Sequence, residues 1–224
     1  MESNRLVNYE LKEILPKIFA LKIEDGYQRA MLFLRSQEYY ESAFPQIRGN
    51  HFDIFEFMAI YRNWKGLDYF SYPNDWAGFN VPGDLIEECI GHVLNPANGM
   101  TVTPYDRIMG DIVKDIRSKI GPDAKFYLLG VDEFESRTMD HELAHGLYCV
   151  NETYRQKMGD LVADLPPKVF EGMKENLLGM GYCEGVIPDE IQAYMATGLH
   201  GKMKDIRGIK GRRKEFEKTL KPYL

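Results

Sequence analysis

Residues 125–147 read Lys125-Phe126-Tyr127-Leu128-Leu129-Gly130-Val131-Asp132-Glu133-Phe134-Glu135-Ser136-Arg137-Thr138-Met139-Asp140-His141-Glu142-Leu143-Ala144-His145-Gly146-Leu147. The first seven residues form an aromatic and aliphatic run, the clearest strand signal in the chain. From Thr138 to Val150 the spacing becomes helical. His141 and His145, at i and i+4, fall one turn apart on one helix face, so both imidazoles can reach the same ion. Glu142 lies on the flank of that face, outside the inner shell and within reach of a water between the two. The uncharged Leu143 and Ala144 let this helix be buried under a sheet.

Working outward, helices are predicted downstream at 166–178, at 189–197 and within the tail. Upstream, Thr103 caps a long helix that has Pro104 in its first turn and ends at Gly121-Pro122. Helical spacing also marks 10–20, 25–40, 53–64 and 84–93. In 25–40 the residues set to face inward are Tyr27, Ala30, Met31, Leu34 and Tyr39. Between Trp64 and Gly83 periodicity stops, leaving a loop over residues 65–83 rich in aromatics and breakers, and loops of that length usually carry function. Within it Tyr72, Asp75, Trp76, Phe79 and Asn80 could line a substrate cleft, with Tyr72, Trp76 and Phe79 as the substrate-binding candidates.

The reading is one 224-residue domain, α+β and mainly helical, with a small sheet. It divides into a helical N-terminal part (1–100), a core (101–200) and a basic C-terminal helix (201–224). Hydrophobic residues at 44% and charged residues at 28% exclude disorder or a fibre. No apolar run reaches the ~18 residues of a membrane span. The opening Met1-Glu2-Ser3-Asn4-Arg5 lacks the features of a signal peptide. Cys89, Cys149 and Cys183 are odd in number and far apart, which fits a reducing compartment. A cytoplasmic location is expected. The net charge of −6 hides nine Lys/Arg against three Asp/Glu from Lys202 to Lys221. The tail is thus at +6 and the preceding body at −12, so nucleic acid is not expected as a partner.

The stretch Thr138–Leu147 resembles the active-site helix of zincin-type zinc metallopeptidases. The extended metzincin pattern needs glycine at position 148 and histidine at 151, where this chain has Tyr148 and Asn151, so that subclass is excluded. The resemblance implies a zincin-like core: a small sheet, the motif helix and a second helix that brings a third ligand. It also implies one Zn²⁺ per chain, a peptide or protein substrate, and Glu142 as general base and then acid. Catalytic zinc usually has three protein ligands and an open position. Glu190 fits the second helix best: Pro188 and Asp189 mark a helix start, small Ala193 allows close packing, and Glu followed by Ala three residues later is similar to those helices. Asp160, Asp164, Glu184 and His200 are rival ligands, and Cys149 continues the histidine row at i+8. Asp189 with Gln192 reads as a capping box. For the oxyanion, Tyr194 is the leading donor, with Tyr182, Tyr154 and His200 open beside it. Alternative functions are hydrolysis of a non-peptide amide and a zincin-like binding or regulatory protein without activity. His51 and His92 show no partner pattern.

Overall fold

A computed structural model describes residues 6–224. Residues 1–5, on which the leaderless, cytoplasmic expectation rests, lie outside the described residues. In chain order the elements are β1 (Glu10–Leu15), β2 (Ile18–Lys22), α1 (Gly26–Glu41), α2 (Ile54–Lys65), the single turn α3 (Tyr72–Asp75), β3 (Phe79–Pro82), α4 (Gly83–Leu94), α5 (Pro104–Ile120), β4 (Tyr127–Val131), α6 (Arg137–Val150), α7 (Glu152–Ala163), α8 (Pro167–Met180), α9 (Ile187–Thr197) and α10 (Ile209–Leu220). The chain is mainly helical, with one four-stranded mixed sheet in the order β1-β2-β4-β3. Among the described residues, no helix is long and apolar enough to cross a membrane.

The predicted helix over 10–20 is instead the β1–β2 hairpin. Leu11, Ile14, Leu15, Ile18 and Phe19 satisfy helical spacing, but Pro16 inside that span would cost a helix its i→i−4 bond. Leu15 pairs directly with Ile18, so Pro16-Lys17 forms a two-residue turn, with Lys17 at φ 70°. The run Ile18–Leu21 is fully buried, as expected of a strand covered on both faces. β2 pairs parallel with β4, and β3 pairs antiparallel with β4. β3 falls inside the segment 65–83 predicted to be a loop, and β4 is an interior strand, so the sheet edge beside α6 is β3. Three of the four strands thus come from the first 100 residues, which are not purely helical.

Side-chain alternation splits the interior in two. Phe19, Leu21, Phe126 and Leu128 face a core built with α1, α2, α4 and α5. Ile18, Ala20, Tyr127, Leu129 and Val131 face a second core built with α6–α10. The helix starts follow their caps. Asp25 accepts from Gln28 N at 2.9 Å, Asp53 caps α2, and Thr103 with Asp106 closes a capping box. Tyr27, set to face inward, is instead 54% exposed, whereas Ala30, Met31, Leu34 and Tyr39 are buried. The sequence reading had no helix at 152–163, which is α7. In the tail, α10 packs Ile209 and Phe216 into the second core.

Candidate metal centre

α6 leaves the sheet directly after β4, with Ser136 as its N-cap accepting from Met139 N. It packs on β2 through Gly146, where a Cβ would come within 3.1 Å of Ile18 Cγ2, tighter than ordinary contact. α9 lies against α6. Ala193 is fully buried between them, and Gln192 Nε2 donates to Ala144 O at 3.3 Å.

This packing brings the two motif histidines and Glu190 together. The His141 and His145 Nε2 atoms are 3.3 Å apart. Glu190 Oε1 lies 3.5 Å from His145 Nε2, and Oε2 lies 3.9 Å from His141 Nε2. His141, His145 and Glu190 form the one His/Cys/Asp/Glu group among the described residues that could hold a metal ion. The rivals stand elsewhere: Glu184 pairs with Lys174 at 3.1 Å, Asp160 accepts from Gln156, and Asp164 caps α7. His200 borders the cleft outside the group.

The remaining ring nitrogens set the tautomers. His145 Nδ1 lies 3.1 Å from Asp189 Oδ1, an acceptor when ionised. His141 Nδ1 lies 3.1 Å from Thr197 Oγ1. That hydroxyl spends its one hydrogen on Ala193 O at 2.8 Å, so it accepts from His141. With both Nδ1 atoms protonated, both Nε2 lone pairs point at the shared space, the form in which imidazole binds metal. Asp189 is therefore a support of His145 and not the predicted helix cap. α9 starts two residues earlier at Ile187, without a side-chain cap.

Without a metal, the electrostatics place a proton on His145, which a metal ion would have to displace from Nε2. Burial opposes charge on His145, but the Asp189 and Glu190 carboxylates outweigh it and hold its pKa well above the ordinary value. Burial, then the charge on His145, holds His141 well below. Glu190 is 2% exposed, burial raises its pKa, and its Oε2 has no hydrogen-bond partner. A buried carboxylate beside two imidazole nitrogens needs a positive charge among them, which a proton on His145 or a bound cation supplies. The donor set of two imidazoles and one carboxylate suits zinc with an open position.

Glu142 is also buried, which raises its pKa against the opposing pull of His145 and Asn80. Its Oε2 accepts from Asn80 Nδ2 at 2.8 Å. The Tyr194 ring lies 4.6 Å from that of His141, and its hydroxyl lies 3.3 Å from that of Tyr182. Tyr154 points away, donating to Gln192 Oε1 in the interior at 2.9 Å. A cleft of about 500 Å³ opens over these groups. Glu38 and Glu41 from α1, with Phe44, Trp64 and Trp76, line another wall of it. Of the predicted substrate contacts, Trp76 is on this wall, with its ring 5.9 Å from that of Tyr182. Phe79 borders the cleft while its ring stacks on Phe33 in the core. Tyr72 is withdrawn from the cleft: it is fully buried, with its ring edge-on to Phe57 and Tyr61.

Asn80 and Asp75 line the cleft as expected, but the sequence does not reveal Asp189, Thr197 or the bond of Asn80 to Glu142. The general need of a ligating histidine for an acceptor at its second nitrogen singles out Asp189 once Glu190 is a candidate. Nothing comparable marks Thr197, or the contact of Asn80 with Glu142. No family model, curated protein or solved structure matches this chain.

Proposed function

We propose that the protein is a zinc-dependent hydrolase of peptide bonds with a zincin-like core. The convergence of His141 Nε2, His145 Nε2 and the unpartnered Glu190 carboxylate carries this reading. The packing of α9 on α6, next to strand β4, supports the core part of this reading. Zinc held there supplies a Lewis acid for the scissile carbonyl and for the attacking water. Glu142 takes the proton of that water and delivers it to the leaving amine. Tyr194, beside His141, donates to the oxyanion, with Tyr182 holding its hydroxyl. The substrate is a peptide or protein segment lying in the cleft between α1 and α9. The three free cysteines support a reducing compartment, and the cytoplasm is the one proposed.

The test is Glu142→Gln. Protein prepared without chelator is expected to hold about one zinc per chain, measured by plasma mass spectrometry, in both wild type and variant. Hydrolysis of a quenched peptide library is expected to fall by ~10²–10⁴-fold in the variant. Zinc loss in the variant would make Glu142 a ligand, and full activity would move the chemistry away from α6. Cleavage of simple acylated amines but no peptide would replace the peptide substrate with another amide.

A further inference from the structure

Asn80 lies on the edge strand β3, yet it is only 7% exposed and its polar groups are committed in several directions. Nδ2 donates to Glu142 Oε2 at 2.8 Å, Oδ1 accepts from the Tyr127 hydroxyl at 2.6 Å, and the backbone N–H donates to Gln37 Oε1 at 3.2 Å. The carboxamide fits in one orientation only. Flipped, its oxygen would face an oxygen of the Glu142 carboxylate. Two residues earlier, Gly78 lies close to the other oxygen of the same carboxylate. A Cβ at Gly78 would collide with Glu142 Oε1 and with Thr138 Cγ2. One three-residue segment thus meets both oxygens of Glu142, and its hydrogen bonds go to Glu142, Tyr127 and Gln37 rather than to the three metal-site residues.

We propose that Asn80 is a positioning residue that, with the bare backbone of Gly78, holds Glu142 where it meets the attacking water. The inference rests on the hydrolase reading and adds a part to it. The fully buried Tyr127 hydroxyl, on the central strand β4, sets the amide, and the amide sets the base. Catalytic geometry is therefore transmitted from the centre of the sheet to its edge. A misplacement of about 1 Å costs about 10²-fold in rate, which sets the scale of the effect.

The experiment compares zinc-loaded wild type with Asn80→Ala, Tyr127→Phe and Glu142→Gln. It reads kcat and KM on a fluorogenic peptide, zinc stoichiometry, and the affinity of acetohydroxamate, a zinc chelator whose released proton Glu142 can hold. Asn80→Ala is expected to keep its zinc and its cooperative melting. Its kcat should fall about 10²-fold with KM within about threefold, and acetohydroxamate should bind about 10-fold more weakly, the effect of losing a hydrogen bond to a charged group. Tyr127→Phe should lose less, about fivefold in kcat. Wild-type kcat and hydroxamate affinity in Asn80→Ala would reduce the bond to a tie between β3 and α6. A rise in KM alone would make Asn80 a substrate contact. Either result overturns the proposal. If Asn80→Ala fails to fold, Gly78→Ala and Tyr127→Phe carry the test, and wild-type values in both overturn it. Failure of the hydrolase reading looks different: wild type then takes no zinc, or Glu142→Gln keeps full activity.

Discussion

The molecule contains two histidine pairs, and they are built in opposite ways. His51 and His92 stack face to face, with ring centroids 3.5 Å apart and planes within 5°. In-plane nitrogens of parallel rings cannot converge on one point. The nearby Glu88 is engaged by the Tyr39 hydroxyl at 2.7 Å, and His51 Nδ1 is buried with no partner. His141 and His145 stand edge-on at 83°, one turn apart on a helix, and an acceptor on α9 fixes each ring. Proximity of two imidazoles is thus not a metal site. Convergent lone pairs, fixed tautomers and a carboxylate in reach are what separate the pairs.

The largest expected effect tests this contrast directly. His141→Ala or His145→Ala should take zinc from about one per chain to near zero, while His51→Ala and His92→Ala should leave it at one. Metal analysis after gel filtration decides, and zinc lost from the His92 variant would break the comparison. A smaller effect tests the tautomer argument. Asp189→Asn should weaken zinc ~10–100-fold in competition with a chromophoric chelator, and Thr197→Val should fall at the low end of that range because it removes a neutral acceptor. An unchanged affinity in Asp189→Asn would return Asp189 to a plain helix residue.

The smallest effect is a pair of opposite pH slopes in the metal-free protein. The raised pKa of His145 contributes stability that is fully present below about pH 6.5, its ordinary value, and is lost as pH rises through the folded-state value. The pKa of His51 is lowered by burial and then by His92, so its contribution is present above about pH 6.5 and lost as pH falls. Melting temperatures from about pH 5 to 9 should show His145→Ala flattening the alkaline fall and His51→Ala the acid fall, each by a few °C. Added zinc should reverse the first slope, because His145 would have to shed its proton to bind, and affinity should then rise with pH.

Much of this site could be read from the sequence because its chemistry is local. Two histidines four apart on a helix are juxtaposed by helical geometry alone, and caps such as Asp25, Asp53 and Thr103 act within three residues. What could not be read depended on long-range packing. Asn80 reaches Glu142 across 62 residues, and Thr197 reaches His141 across 56. Leu11, Ile14, Leu15, Ile18 and Phe19 fit a helical period and a hairpin alike, and Pro16 was the signal that should have decided. Tyr72 shows the reverse error: an aromatic in a segment full of breakers looked available for a ligand, but a packed aromatic cluster had already claimed it.

Thr197 is the last residue of α9, with Gly198 immediately beyond it. Helix ends open far more often than whole domains unfold. One of the two rings of the proposed metal site therefore takes its orientation from the last turn of α9. In the zinc protein proposed above, opening of that last turn, and not global unfolding, would then set how long the ion stays. Metal exchange and amide hydrogen exchange at the end of α9 should share one clock.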